Sequence, residues 1–227
     1  MSTTNTEKET KAVDAANTAE TAKAETKAEV KAQPEKKAKK GKKIQNDSVR
    51  ALVEGAFMLA LATVLGYIRI FRFPFGGSID FALIPIFIYC LRWGPKWSFL
   101  CCFANGLLQF FLGGGISISW QSALLDYIVA YTLIALAGFA AGKKLGWLWG
   151  TIIGTLGRLV SLVLSGGLVW YMYMPDEFLG MTMTNPWVYS LLYNGIVCLA
   201  VMAIDLLVLG LMQASSRLRT QVFAKQY

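Results

Sequence analysis

Four ionisable side chains lie inside long apolar runs, where charge is costly and marks function by default: Glu54, Asp126, Arg158 and Asp205. Asp126 stands in LLDYIVAY, flanked by Tyr127 and Tyr131, and its carboxylate offers acceptors to a ligand. Arg158 falls half way along its run, and Asp205 is the acid available to pair with it and hold two helices together. Glu54 is near the start of its run, where it reaches headgroups or caps a helix. Further along, Trp170, Tyr171 and Tyr173 close one apolar segment, and WVYSLLYNG opens the next with Trp187, Tyr189, Tyr193 and Asn194. Tyr189 and Tyr193 are four apart and share one side of a helix. Rings, one amide and one carboxylate suit a flat ligand with cationic character, which stacks, is drawn to ring faces and is read at its edge hydrogens. The same residues also suit an interfacial aromatic belt.

Much chemistry is excluded. The chain has no His, so it has no His general base, no His metal ligand and no Ser-His or Cys-His triad. Cys90, Cys101, Cys102 and Cys198 sit in apolar runs without a CxxC pair, as buried thiols do, and no metal or other cofactor is expected. GxxxxGK[ST] is absent, so uphill movement would draw on an ion gradient or another subunit. An enzyme is not expected.

The elements that must position these residues are membrane helices. Of 227 residues, 55% are hydrophobic and 16% charged, with mean hydropathy +0.47. Residues 1–50 hold 12 of the 22 basic and 8 of the 14 acidic side chains, so the remainder is almost bare of charge. Six apolar segments follow, at about 50–68, 79–92, 97–112, 120–141, 147–173 and 187–213. A crossing takes roughly 20 residues, and the second and third segments are short for it. Without alternating patterns only helices fit, so the expectation is an all-α membrane protein of six transmembrane helices. Residues 1–48 form a disordered tail, 49–215 the six-helix domain and 216–227 a short basic C-terminus. The tail ends in KKAKKGKK, six lysines in eight residues, which favours anionic lipid over nucleic acid. With both termini cytoplasmic, Arg92, Lys96, Lys143, Lys144, Arg217, Arg219 and Lys225 lie inside, and Asp176 and Glu177 outside. Arg69 and Arg72 are the exceptions.

Four stretches, LVEGAFMLALATVLGYI, DFALIPIFIYCLRWGPKWSF, LLDYIVAYTLIALAGF and WVYSLLYNG, occur in an order and spacing that resembles the thiamine-specific substrate-binding (S) component of energy-coupling factor transporters. The resemblance spans nearly all of 50–213. It implies a bacterial plasma-membrane subunit that binds thiamine or a related ligand outside and works with a transmembrane coupling subunit and two ATPase subunits. By the same resemblance the pocket acid falls on Asp126, where Glu is usual, with Tyr127 after it. Trp170, Tyr189 and Asn194 complete the pocket, and Ala56 and Ala60 form the small-residue stripe that meets the coupling subunit. Three positions depart. The family's pocket His falls on Leu162, its first-loop Trp near Gly76, and an aromatic near Ile116. The acid, amide and Trp that remain suit a pyrimidine. Another pyrimidine-containing or vitamin ligand, and a stand-alone secondary transporter, are the competing readings.

Overall fold

The computed structural model describes residues 47–73, 77–112 and 117–222. The tail to residue 46 with its lysine run, positions 76 and 116, and Lys225 lie outside the described residues. Among the described residues, four helices are long and apolar enough to cross a membrane: α1 (Asp47–Tyr67), α3 (Trp120–Ala140), α4 (Gly146–Leu168) and α5 (Pro186–Ala214). At about 1.5 Å per residue each reaches roughly 30 Å or more, the thickness of a hydrocarbon core. Their outer faces are apolar and exposed, as at Phe57, Val160, Leu199 and Leu207. A short α6 (Ser216–Val222) follows α5.

The second and third apolar segments form α2 (Leu83–Leu112), broken at Gly94. Gly94 has φ 70° and ψ −176°, a left-handed backbone that suits glycine, and Pro95 then starts a new helix. The limb 83–93 spans only about 16 Å. It is apolar all round and buried almost all round, from Leu83 to Leu91, so it is the centre of the bundle and meets no lipid. Trp93, at the end of the second apolar segment, where an aromatic often faces the interface, is buried. Trp120, at 72% exposure, does face outward.

Three other helices approach this limb through glycines. A Cβ at Gly55 of α1 would stand 3.1 Å from the Tyr89 hydroxyl, which itself donates to the Ala51 carbonyl at 2.9 Å. On α4, Gly150 and Gly154 place their backbones against Leu91 and Phe87, where an added Cβ would come within 2.9 Å of each. On α3, a Cβ at Gly138 would stand 2.9 Å from the Gly94 carbonyl carbon and 2.9 Å from Pro95 Cα. Small residues thus let backbones close up where no water drives association. The two small-residue stripes of α1 point opposite ways: Ala51, Gly55, Ala62 and Gly66 are buried, whereas Ala56 and Ala60 are exposed.

The helices are accompanied by two short antiparallel hairpins, a departure from the all-helical expectation. β1 (Arg69–Arg72) pairs with β2 (Ser78–Asp80), matching Arg69 with Asp80 and Arg72 with Ser78. A register shift between Arg69 and Phe71 re-aims the strand. β3 (Glu177–Phe178) pairs with β4 (Met181–Thr182) across Leu179 and Gly180, both at positive φ as a tight hairpin turn requires. Both hairpins lie at one end of the bundle, with the helix ends 66–68, 119–120, 168–173 and 186.

Gly138→Ala is expected to lower the thermal midpoint in detergent, since overpacking costs about 1–3 kcal/mol. Gly195→Ala, where an added Cβ meets nothing within 4 Å, is expected to leave it unchanged.

Candidate functional site

At the hairpin end, packing stops above the short limb and leaves a cavity of about 160 Å³. Its wall is built from every element around it. The first hairpin contributes Arg69, Arg72, Ser78 and Asp80, and α2 contributes Leu83 and Gln109. Asp126, Tyr127 and Tyr131 come from α3, and Arg158, Leu162 and Gly166 from α4. Trp170 and Tyr173 enter from the turn after α4, and Tyr189, Ser190, Tyr193 and Asn194 from α5. The five positions singled out for ligand contact, Asp126, Tyr127, Trp170, Tyr189 and Asn194, therefore line one space. Ala56 and Ala60 are on α1, outside that lining.

The carboxylate is held by a closed set of bonds. Ser122 Oγ donates to Asp126 Oδ2 at 2.7 Å, and Trp170 Nε1 donates to the same oxygen at 2.9 Å and to Ser122 Oγ at 3.0 Å. Ser119 caps the start of α3, its Oγ accepting from the Ser122 amide at 3.3 Å. Residues 124–129 then widen into a π-helical turn, with the Ala130 amide reaching the Leu125 carbonyl. Ser161 of α4 donates to that carbonyl as well, at 2.7 Å. Such turns recur at functional sites because they re-aim side chains along a helix. Here Asp126, Tyr127 and Tyr131 all reach the cavity. α2 comes close at the same place: a Cβ on Gly106 would be 2.7 Å from the Tyr127 carbonyl oxygen.

Asn194 commits its amide nitrogen to Ser190, at 3.1 Å to the carbonyl and 3.2 Å to Oγ, and to the Leu162 carbonyl at 3.4 Å. Its oxygen is the half left for a ligand. Around the mouth the rings form a connected cluster. Tyr189 and Tyr193 lie 5.8 Å apart at 36°, Phe178 of the second hairpin meets both at 5.3 and 6.0 Å, and Phe73 of the first meets Tyr193 at 5.9 Å. Trp170 and Tyr173 stand 5.7 Å apart. The aromatic end is thus built inward over a cavity, while Tyr171 and Trp187 remain exposed in the manner of a belt.

Charge is arranged differently from the pairing expected at first. Arg158 lays its guanidinium 4.9 Å over the Tyr131 ring, a cation–π contact, and forms no ion pair with Asp205. Asp205 is wholly buried, and neither of its oxygens has a hydrogen-bond partner among the described residues. It does not line the cavity; it lies one helical turn beyond Val201, which does. Glu54 does not cap α1, which starts seven residues earlier at Asp47. Its Oε1 is 2.8 Å from Arg92 Nε, a charge contact without aligned hydrogen-bond geometry. Arg69 and Arg72, the exceptions to the loop-charge pattern, line the cavity together with Asp80. Asp80 accepts from Ser78 Oγ at 2.5 Å and from the Ala82 amide at 3.1 Å. Asp80, Gln109 and Ser190 also line the cavity but are not legible in the sequence, because a lone polar residue near a segment end carries no spacing signal. Ser122, four residues before Asp126, had one.

The family described as "Thiamine transporter protein (Thia_YuaJ)" matches residues 52–220. "Thiamine transporter ThiT" of Bacillus subtilis (strain 168) is 32% identical over 165 residues, covering 66% of this chain and 83% of the relative. The protein of the same name from Lacticaseibacillus paracasei is 29% identical over 184 residues, covering 74% and 89%. The solved structure of ThiT from Listeria monocytogenes superposes with a TM-score of 0.63 at 24% identity, over 75% of this chain and 97% of that one. That superposition establishes the fold.

Asp205→Val is expected to raise the thermal midpoint by a few degrees, because an unpaired buried polar group costs roughly 1–3 kcal/mol. If Asp205 instead held α5 to Arg158, the midpoint would fall.

Proposed function

The chain belongs to the thiamine transporter protein family, and on that premise we propose that it is the membrane substrate-binding subunit of an energy-coupling factor uptake system, taking thiamine into the cavity beneath the two hairpins. The observation that carries the reading is the Asp126 carboxylate, presented in the cavity wall by Ser122 and Trp170 with ring faces beside it. Thiamine joins an aminopyrimidine to a permanently cationic thiazolium. The carboxylate accepts from the amine and supplies counter-charge where water is scarce. The Asn194 oxygen accepts a further edge hydrogen, and the faces of Trp170, Tyr189 and Tyr193 stack and attract the cation.

The cavity opens outward in this proposal. Arg92, Lys96, Lys143, Lys144, Arg217 and Arg219 gather at the opposite end, which the positive-inside rule makes cytoplasmic. Arg69 and Arg72 leave that tally once they are assigned to the cavity. Partner docking falls on α1, where Ala56 and Ala60 form an exposed strip low enough for another helix to approach. A second reading, a pyrimidine-bearing ligand that also has an acidic group, is favoured by the three guanidiniums of Arg69, Arg72 and Arg158 in the lining.

Calorimetry on the purified protein tests both readings. Asp126→Asn is expected to weaken thiamine binding by about one to two orders of magnitude, as loss of a charge-assisted hydrogen bond costs roughly 1.5–3 kcal/mol. Trp170→Ala is expected to cost a comparable factor. Unchanged affinity in both variants would overturn the pocket assignment, and tighter binding of an acidic pyrimidine than of thiamine would favour the second reading.

Docking is tested separately. Ala56→Trp and Ala60→Trp should each leave binding within about twofold yet abolish uptake in vesicles containing the coupling and ATPase subunits. Uptake surviving both changes would move the docking face elsewhere.

A further inference from the structure

We infer that Ser122 is a positioning residue that sets the direction of the Asp126 carboxylate, and through it the preference for an amino over an oxo group on the ligand's pyrimidine. The inference rests on the reading of the cavity as a thiamine site.

Ser122 does not line the cavity and is completely buried, so it touches no ligand itself. Its hydroxyl has one proton. An indole N–H only donates, so the 3.0 Å contact with Trp170 Nε1 uses a Ser122 lone pair, and the hydroxyl proton goes to Asp126 Oδ2 at 2.7 Å. Trp170 Nε1 also donates to Oδ2 at 2.9 Å. Both charge-assisted bonds thus converge on one oxygen; the buried Ser165 hydroxyl also stands near the carboxylate but makes no aligned bond, so Oδ1 keeps acceptor capacity for the ligand. Ser122 is itself pinned by the Ser119 cap, just before the π-helical turn begins at Leu124. One hydroxyl therefore fixes two ligand-facing groups, the rotation of the carboxylate and the edge of the Trp170 ring.

An Oδ1 held in this way accepts from an amine and meets a pyrimidine carbonyl acceptor to acceptor. Without the Ser122 hydroxyl, the carboxylate keeps the indole donor and the neighbouring Ser165 hydroxyl, which makes no aligned bond, and it gains freedom about its terminal torsion, which is broad for an Asp side chain. The amine then loses a fixed acceptor, and the carbonyl is no longer opposed by one.

The test is calorimetry on the full chain in detergent, with thiamine and with oxythiamine, its 4-oxo analogue. In Ser122→Ala, thiamine is expected to bind about tenfold more weakly and oxythiamine to change less than twofold, so the selectivity ratio falls. Ser122→Cys, close in size and with a weaker donor, is expected to give an intermediate ratio. In an Asp126→Asn background, Ser122→Ala is expected to leave the ratio unchanged. Equal losses for both ligands would show a merely structural role and overturn the inference, as would an unchanged ratio in Ser122→Ala and Ser122→Cys. Failure of the wild-type protein to bind thiamine at all would overturn the thiamine reading and this inference with it.

Discussion

The limb 83–93 is buried on every side, and the rest of the bundle is arranged to permit that. A helix of about 16 Å cannot cross a bilayer, so its backbone and side chains must be enclosed by longer neighbours. Those neighbours come near enough only because Gly55, Gly138, Gly150 and Gly154 carry no side chain where they face Tyr89, Pro95, Leu91 and Phe87. The break at Gly94 follows from the same constraint: the chain must turn at the foot of the short limb, beside Gly138 near the end of α3, and return as the longer limb. Because the short limb begins at Leu83, the space above it is not filled by helix. That space is the cavity, and Leu83 is part of its floor.

Polar groups are distributed in keeping with this architecture. Where helices meet closely, Ser and Thr hydroxyls such as Thr151 Oγ1 and Ser98 Oγ bond back to their own helix, to the Trp147 carbonyl at 2.8 Å and the Gly94 carbonyl at 2.6 Å, while the Tyr89 hydroxyl reaches across to α1. Where the cavity begins, side chains bond across elements instead: Trp170 to Ser122 and Asp126, Asn194 to Leu162, and Ser190 to the Val163 carbonyl at 3.1 Å. Cross-element bonds of this kind lock the rotamers of the groups that face the space. Such preorganisation reduces the ordering cost of binding a small ligand. Asp205 stands outside both patterns as a buried acid with no hydrogen bond among the described residues, whose nearest counter-charge, Arg158, acts on it only from beyond ion-pair distance.

Composition and period were enough to establish a chain of apolar helices with a charge-poor body, and the absence of His removed whole classes of chemistry before any fold was known. Asp126, Trp170, Tyr189 and Asn194 were legible because an acid inside an apolar run is costly, and because aromatic residues four apart share a helix side. Other features depended on three dimensions. The second segment could be recognised as short, but burial on all sides is a property of its neighbours. Arg158 and Asp205 looked like a pair because opposite charges within two apolar runs have few other partners in a linear view. Helix rotation and depth turned Arg158 toward Tyr131 and left Asp205 a turn beyond the cavity. Arg69 and Arg72 looked like violations of loop topology until a strand bulge aimed them at the cavity. The triangle of Ser122, Asp126 and Trp170 joins residues 44 and 48 positions apart, and no local pattern encodes such a meeting. Side-chain chemistry and helical period are local and can be read along the chain, whereas which faces meet, and which polar groups stay unpaired, is decided by packing.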